Sequence, residues 1–142
     1  MGQQFKSVSK QKIIMNSNFY NLISSLKNAQ QSKKSYIYIK KNRLCLTVLN
    51  ILWDEGFILG YKIMPNNFKK IKIFLKYKNK DPVIKTLKIL TKPSLKIFFN
   101  IKELWKINLN KGIFIISTSK GIKTIEKCLY HNIGGELLFY IK

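Results

Sequence analysis

A single histidine, His131, serves a chain of 142 residues. Its two cysteines, Cys45 and Cys128, lie far apart with no Cys-x-x-Cys spacing. The six carboxylates are Asp54, Glu55, Asp81, Glu103, Glu126 and Glu136. Asp54 and Glu55 are adjacent on a predicted helix and so point in different directions, and no other two are spaced for acid–base work. These shortages exclude a disulfide framework and a His/Cys metal centre. They also exclude an active site built on histidine or paired carboxylates. The chain reads as a non-enzyme with no cofactor, no metal and no small-molecule substrate. The cysteines read as core thiols of a reducing compartment, and His131 as a complement to the dipole of a short helix. Thr118-Ser119-Lys120-Gly121 does not have the GxxxxGK[ST] form of a phosphate-binding loop. No run approaches the ~18 apolar residues of a membrane span. The longest candidate, Leu44 to Trp53, is broken by Thr47 and Asn50. Basic residues are spread over predicted strands and loops instead of one amphipathic helix, so no membrane partner is expected.

What the chain does have is charge of one sign. Twenty-seven basic residues against six acidic ones give a formal net charge of +21. Self-repulsion of that size opposes folding, and a polyanion relieves it by exchanging counterions. Arg43 is the only arginine, so almost every cation is a lysine. Lysine attracts phosphate without direction, whereas reading guanine edges in DNA calls for the arginine fork. RNA is the leading partner on these grounds, with a general basic RNA chaperone or assembly factor as the alternative role. The abundance of Lys, Ile, Asn and Phe, all spelled by A- and T-rich codons, points to an A+T-rich genome such as an organelle's. Hydrophobic residues at 46% still permit a sizeable core.

Periodicity predicts an α+β protein of two small domains. Residues 1–16 are polar, basic and aperiodic, and read as a flexible arm. Residues 17–80 read as α-β-α-β-β. A first helix capped by Ser17 or Asn18 carries Phe19, Leu22, Ile23 and Leu26 on one stripe. A strand follows over Tyr36 to Ile39. A second helix runs from Arg43 to about Glu55, capped by Asn42 and stopped by Gly56. Strands are expected over Phe57–Met64 and Lys70–Lys78. Asn79-Lys80-Asp81-Pro82 is the boundary signal. Residues 81–142 read as mainly β with short helices: strands at Val83–Leu90, Leu95–Phe99, Ile113–Ser117 and Gly135–Ile141, a helical turn over Lys102–Lys106, and a helix capped by Thr124 and ended by Gly134-Gly135.

The sharpest feature is Ser117-Thr118-Ser119-Lys120-Gly121, at the exit of the apolar run Ile113–Ile116. Gly121 is suited to a tight turn at positive φ. Three hydroxyls that both donate and accept, together with one cation, suit an anionic, shaped partner. The plainer reading is a turn whose hydroxyls bond only their own backbone. The start of the second helix, where Lys41 and Arg43 flank free backbone N–H groups, is a further anion site by charge and geometry.

Ile115-Ile116-Ser117-Thr118-Ser119-Lys120-Gly121-Ile122 resembles the STSKG signature of the small-subunit ribosomal protein eight (universal S-eight) family. Gly134-Gly135-Glu136 with Tyr140 looks like that family's final strand. Asp54-Glu55-Gly56-Phe57-Ile58 is similar to its EEGFI segment, Lys92–Phe98 to its basic-Pro-Gly-Leu segment, and Leu26-Lys27-Asn28-Ala29 to the end of its first helix. Departures are Ser94 for Gly, Phe98 for Tyr, Ile125-Glu126 for Asp-Arg, and Ser17-Asn18 for Asp-Pro. The resemblance implies a ribosomal constituent that binds the central domain of small-subunit rRNA early in assembly, beside neighbouring small-subunit proteins. It implies that Ser117, Thr118 and Ser119 reach bases or sugars, and that Lys120, Lys96, Lys41 and Arg43 meet phosphates. Phe98 is then expected to stack on a base, and Glu136 either to accept a base amine or to brace the loop. Lys27 and Asn28 join the RNA-contacting set through the helix-end match. With the A+T-rich coding, the expected location is a mitochondrial small subunit, with a plastid or an A+T-rich bacterial cytoplasm as alternatives.

Overall fold

The computed structural model describes residues 18–66, 69–90, 97–107 and 112–142. The chain divides into two compact units, Met1–Tyr77 and Lys78–Lys142. The proposed arm, residues 1–16, lies outside the described residues.

In the first unit the elements are α1 (residues 18–31), β1 (Tyr36–Lys40), α2 (Arg43–Asp54), β2 (Ile58–Ile63) and β3 (Lys70–Leu75). The apolar stripe of α1 is fully buried at Phe19, Leu22, Ile23 and Leu26. That of α2 is buried at Leu44, Cys45, Val48, Leu49 and Leu52. Asn42 caps α2, its Oδ1 accepting from Leu44 N at 2.8 Å. Gly56, at φ 81°, follows the helix. The three strands pair antiparallel in the order β1-β3-β2. Ile71, Ile73 and Leu75 of β3 and Ile58 of β2 are buried, so one face of the sheet is apolar and covered. Alternation then places Tyr36, Tyr38, Lys72 and Phe74 on the opposite face. A bulge between Ile58 and Gly60 shifts the β2 register.

At the start of the second unit, β4 (Tyr77–Lys78), whose Tyr77 is the last residue of the first, and β5 (Asp81–Pro82) flank Asn79 and Lys80, both at positive φ, as a two-residue hairpin of type I′ requires. The unit boundary falls within β4. β6 (Leu87–Ile89), β7 (Phe98–Phe99), β8 (Ile113–Thr118), β9 (Gly121–Thr124) and β10 (Gly135–Ile141) form the main sheet. Its path is β6-β10-β8-β9, and β7 pairs the start of β10. α3 (Ile101–Trp105) opens on a capping box, Asn100 with Glu103. α4 (Ile125–His131) follows β9 directly. Leu104, Ile116, Ile125, Cys128 and Leu137 form the core beneath these helices.

Several expectations are revised. The Val83–Leu90 strand shrinks to Leu87–Ile89, because the Lys85 and Thr86 amides both converge on the Lys142 carbonyl, a pattern that a regular ladder does not allow. The stretch Gly121–Thr124, read as turn and cap, is a strand pairing β8. Thr124 stands at the α4 N-cap but makes no side-chain cap bond. Its place in the ladder opposite Ile115 buries its side chain instead. Asn132, in the left-handed conformation, ends α4 in place of Gly134-Gly135. The two glycines serve close packing: a Cβ on Gly134 would stand 2.5 Å from the Phe99 carbonyl oxygen, and one on Gly135 would collide with that of Ser117. The simple alternation expected of Leu137, Phe139 and Ile141 is broken by a register shift between Leu137 and Phe139, and Leu138 is buried as well.

Both cysteines are buried and free. Burial pushes the Cys45 thiol up to about 11 and raises that of Cys128 against the opposing charge of Lys123. Neither is a reactive thiolate.

Candidate nucleic-acid interface

The hydroxyl stretch is the tip of the β8–β9 hairpin. Thr118 pairs Gly121, leaving Ser119 and Lys120 exposed at the turn. Gly121 takes φ 110° with open space around it, so the turn needs glycine for its backbone and not for room. The Thr118 hydroxyl donates to the Gly121 carbonyl at 2.7 Å and accepts from Lys120 N at 3.1 Å. This one hydroxyl locks the turn from within. It fits the plainer reading of the stretch, while Ser119 and Lys120 project beyond it.

Cross-strand register builds the rest of the site. Ile116 and Leu137 turn toward the helices. Ser117 and Glu136, one position along on paired strands, therefore share the opposite face. Glu136 also pairs Phe98 on β7. Phe99 and Ile97 pack on the helix side, which leaves Phe98 on the same face as Glu136. Phe98, Glu136 and Ser117 thus form a row across three strands, spanning about 10 Å at normal strand spacing. Phe98 is 59% exposed and Glu136 only 5% exposed. A ring open to solvent, a sunken carboxyl group and a half-buried hydroxyl lie side by side next to a basic hairpin tip. Such a surface offers a stacking face, hydrogen-bonding oxygens and a cation to one strand of nucleic acid.

The remaining candidates divide. Lys96 lies outside the described residues. Lys41, Arg43, Lys27 and Asn28 belong to the first unit, and all four are exposed. Lys41 and Arg43 flank the cap of α2, where Asn42 already takes the Leu44 amide. Asn28 borders an open cleft of about 750 Å³ that is also lined by Ser32, Lys33, Lys34 and Tyr36. Among the described residues no three of His, Cys, Asp and Glu are grouped to hold a metal ion, and no helix is long and apolar enough to cross a membrane. Sequence periodicity assigns Tyr36 and Tyr38 only to the outer side of a strand. Their cluster with Lys72 and Phe74 depends on pairing between strands, which periodicity does not reveal.

Fold and surface define a class first: a basic α+β protein in two units, with a hydroxyl-rich hairpin as its most distinctive polar surface. The family model described as Ribosomal protein S8 matches residues 18–141, so the chain belongs to that family. It is 36% identical over 122 residues to the small ribosomal subunit protein uS8 of Wigglesworthia glossinidia brevipalpis, covering 86% of this chain and 94% of that protein. It is 38% identical over 121 residues to uS8 of Buchnera aphidicola subsp. Cinara cedri, covering 85% and 93%. It is 40% identical over 124 residues to the protein named uS8c of Trieres chinensis, covering 85% and 94%. Family membership supports a structural, rRNA-binding role in the small ribosomal subunit.

Proposed function

We propose that this protein is a constituent of the small ribosomal subunit that binds the central domain of its rRNA and supports its assembly. The observation that carries the reading is the row Phe98–Glu136–Ser117 beside the exposed Ser119-Lys120 tip, within a chain that the family model matches almost throughout. Ser117 and Ser119 meet sugar or base edges across the wide minor groove of A-form RNA, and Phe98 stacks on a base. Lys120 meets phosphate, joined in the first unit by Lys41, Arg43 and Lys27. Thr118 shapes the turn, its one hydroxyl proton committed to the Gly121 carbonyl, and meets RNA only as an acceptor through its remaining lone pair. Burial favours a bracing role for Glu136, beneath the surface that its neighbours present.

Ser119→Ala tests the loop. Cognate RNA affinity is expected to fall by about 1–3 kcal/mol, the cost of leaving interfacial partners of a hydroxyl unsatisfied. Affinity for an unrelated duplex should hold. Equal loss on both RNAs would remove groove or base readout from the account.

The coding bias suits an A+T-rich genome. The relatives described above are bacterial proteins and a uS8c protein, which supports a bacterial or plastid small subunit over the mitochondrial one expected from composition. A basic RNA chaperone outside the mature ribosome is the competing reading. It requires no stable sedimentation with small subunits, whereas the proposed function requires it.

A further inference from the structure

The outer face of the first unit's sheet carries a cluster that the hairpin site does not use. Tyr36 and Tyr38 are 45% and 47% exposed, two residues apart on β1. Their rings meet edge to face with centroids 5.5 Å apart. Register sets Phe74 beside Tyr36 and Lys72 beside Tyr38. The Lys72 ammonium lies 4.1 Å from the centre of the Tyr36 ring, 5.3 Å from that of Phe74 and 5.8 Å from that of Tyr38. A cation is thus held among three rings, an arrangement that keeps it pointed at the surface without a carboxylate partner. Lys40 and Lys62 stand on the same face by register, opposite Lys70 and Lys72. This face carries no carboxylate, and residues 1–77 hold only Asp54 and Glu55.

Exposed rings at period two on a sheet, interleaved with lysines, match a base-stacking platform flanked by phosphate contacts. The charge pattern selects among occupants. A second copy would set lysines against lysines, whereas a polyanion with flat, unpaired faces satisfies cations and rings together. We infer that this open face is a second RNA site, one that takes an unpaired segment whose bases stack on Tyr36 and Tyr38 while a phosphate meets Lys72. The inference concerns a surface separate from the Ser117–Gly121 hairpin, though it shares the premise that the partner is RNA.

The test uses the full chain at physiological salt, with fluorescence anisotropy on three labelled probes: an unstructured RNA of about eight nucleotides, an RNA duplex, and a central-domain rRNA fragment. The Tyr36→Ala/Tyr38→Ala variant is expected to bind the unstructured RNA roughly 10- to 100-fold more weakly, with duplex binding changed by less than about twofold. Tyr36→Phe/Tyr38→Phe keeps the ring faces and should retain binding. Ser117→Ala/Ser119→Ala should weaken the central-domain fragment and leave the unstructured RNA untouched, so failure of either site shows separately. Unchanged affinity of the alanine variant for the unstructured RNA would overturn the inference. So would equal loss on both short probes, or equal loss in the phenylalanine variant. Sedimentation showing a dimer that the alanine variant dissolves, with RNA binding intact, would assign the face to a second copy instead.

Discussion

Raising the salt from about 50 to about 200 mM is expected to weaken cognate RNA binding by ~10³–10⁵, provided that ~6–10 phosphates are contacted. The number follows from the kind of charge and not only its amount. Lysines supply nearly all of the +21 excess, and a lysine acts on phosphate as a point charge that displaces a condensed counterion. Each displaced counterion adds to the slope of affinity against salt. Exposed cations stand on both units, among them Lys120 at the hairpin tip and Lys41 and Arg43 at the start of α2. A filter-binding titration over this salt range measures the slope directly. Lys120→Gln should lower it by about one counterion, while Ser119→Ala should leave it unchanged and shift affinity alone. A flat response would mean that the excess charge is not engaged with phosphate.

Gly135→Ala is expected to destabilise the second unit by about 3 kcal/mol, the upper part of the range for a side chain forced into filled space. The added methyl would meet the Ser117 carbonyl oxygen and the Ile116 side chain, and a backbone carbonyl in a paired strand has little freedom to give way. β8 and β10 must then separate where Ser117 and Glu136 are paired, so the substitution should also weaken cognate RNA binding. Thermal unfolding followed by circular dichroism is the direct readout, with a fall of the order of 10 °C expected. Gly121→Ala is the comparator. Nothing crowds that position, so its cost is only that of a side chain at φ 110°, about 1–2 kcal/mol. A Gly135→Ala protein as stable as the parent would show that the strands are not held at this spacing by the glycine.

The sequence made the elements legible where one periodicity dominates. α1 and α2 each carry an unbroken apolar stripe, and Asn42 and Gly56 mark the ends of α2 as chemistry requires. β10 runs over Gly135–Ile141 as expected, its apolar run following directly on Gly134-Gly135. What stayed hidden depends on partners distant in sequence. The four residues of β9 have no pattern of their own and are strand only because β8 lies alongside. Gly134 and Gly135 look like helix stops in sequence. Their purpose, close approach to the Phe99 and Ser117 carbonyls, is visible only in space. The hairpin site was half legible in the same sense. Ser119 and Lys120 are adjacent in sequence and share the tip, whereas the alignment of Phe98 with Glu136 and Ser117 comes from register across three strands. Thr118 shows the limit from the other side. Its residue type suits RNA, and only in space is it visible that its one hydroxyl proton goes to the Gly121 carbonyl, so that an acceptor lone pair is all it has left to offer.

Competition binding at physiological salt tests the central claim most directly. The probe is a central-domain fragment of small-subunit rRNA, and the competitor is an unrelated duplex of equal length. Preference for the fragment by ~10³ or more is the predicted result, since it exceeds what charge alone provides and marks specific recognition. Equal affinity for both RNAs would contradict the account. It would reduce the Ser117–Gly121 hairpin to an ordinary turn and leave a general basic RNA chaperone as the function.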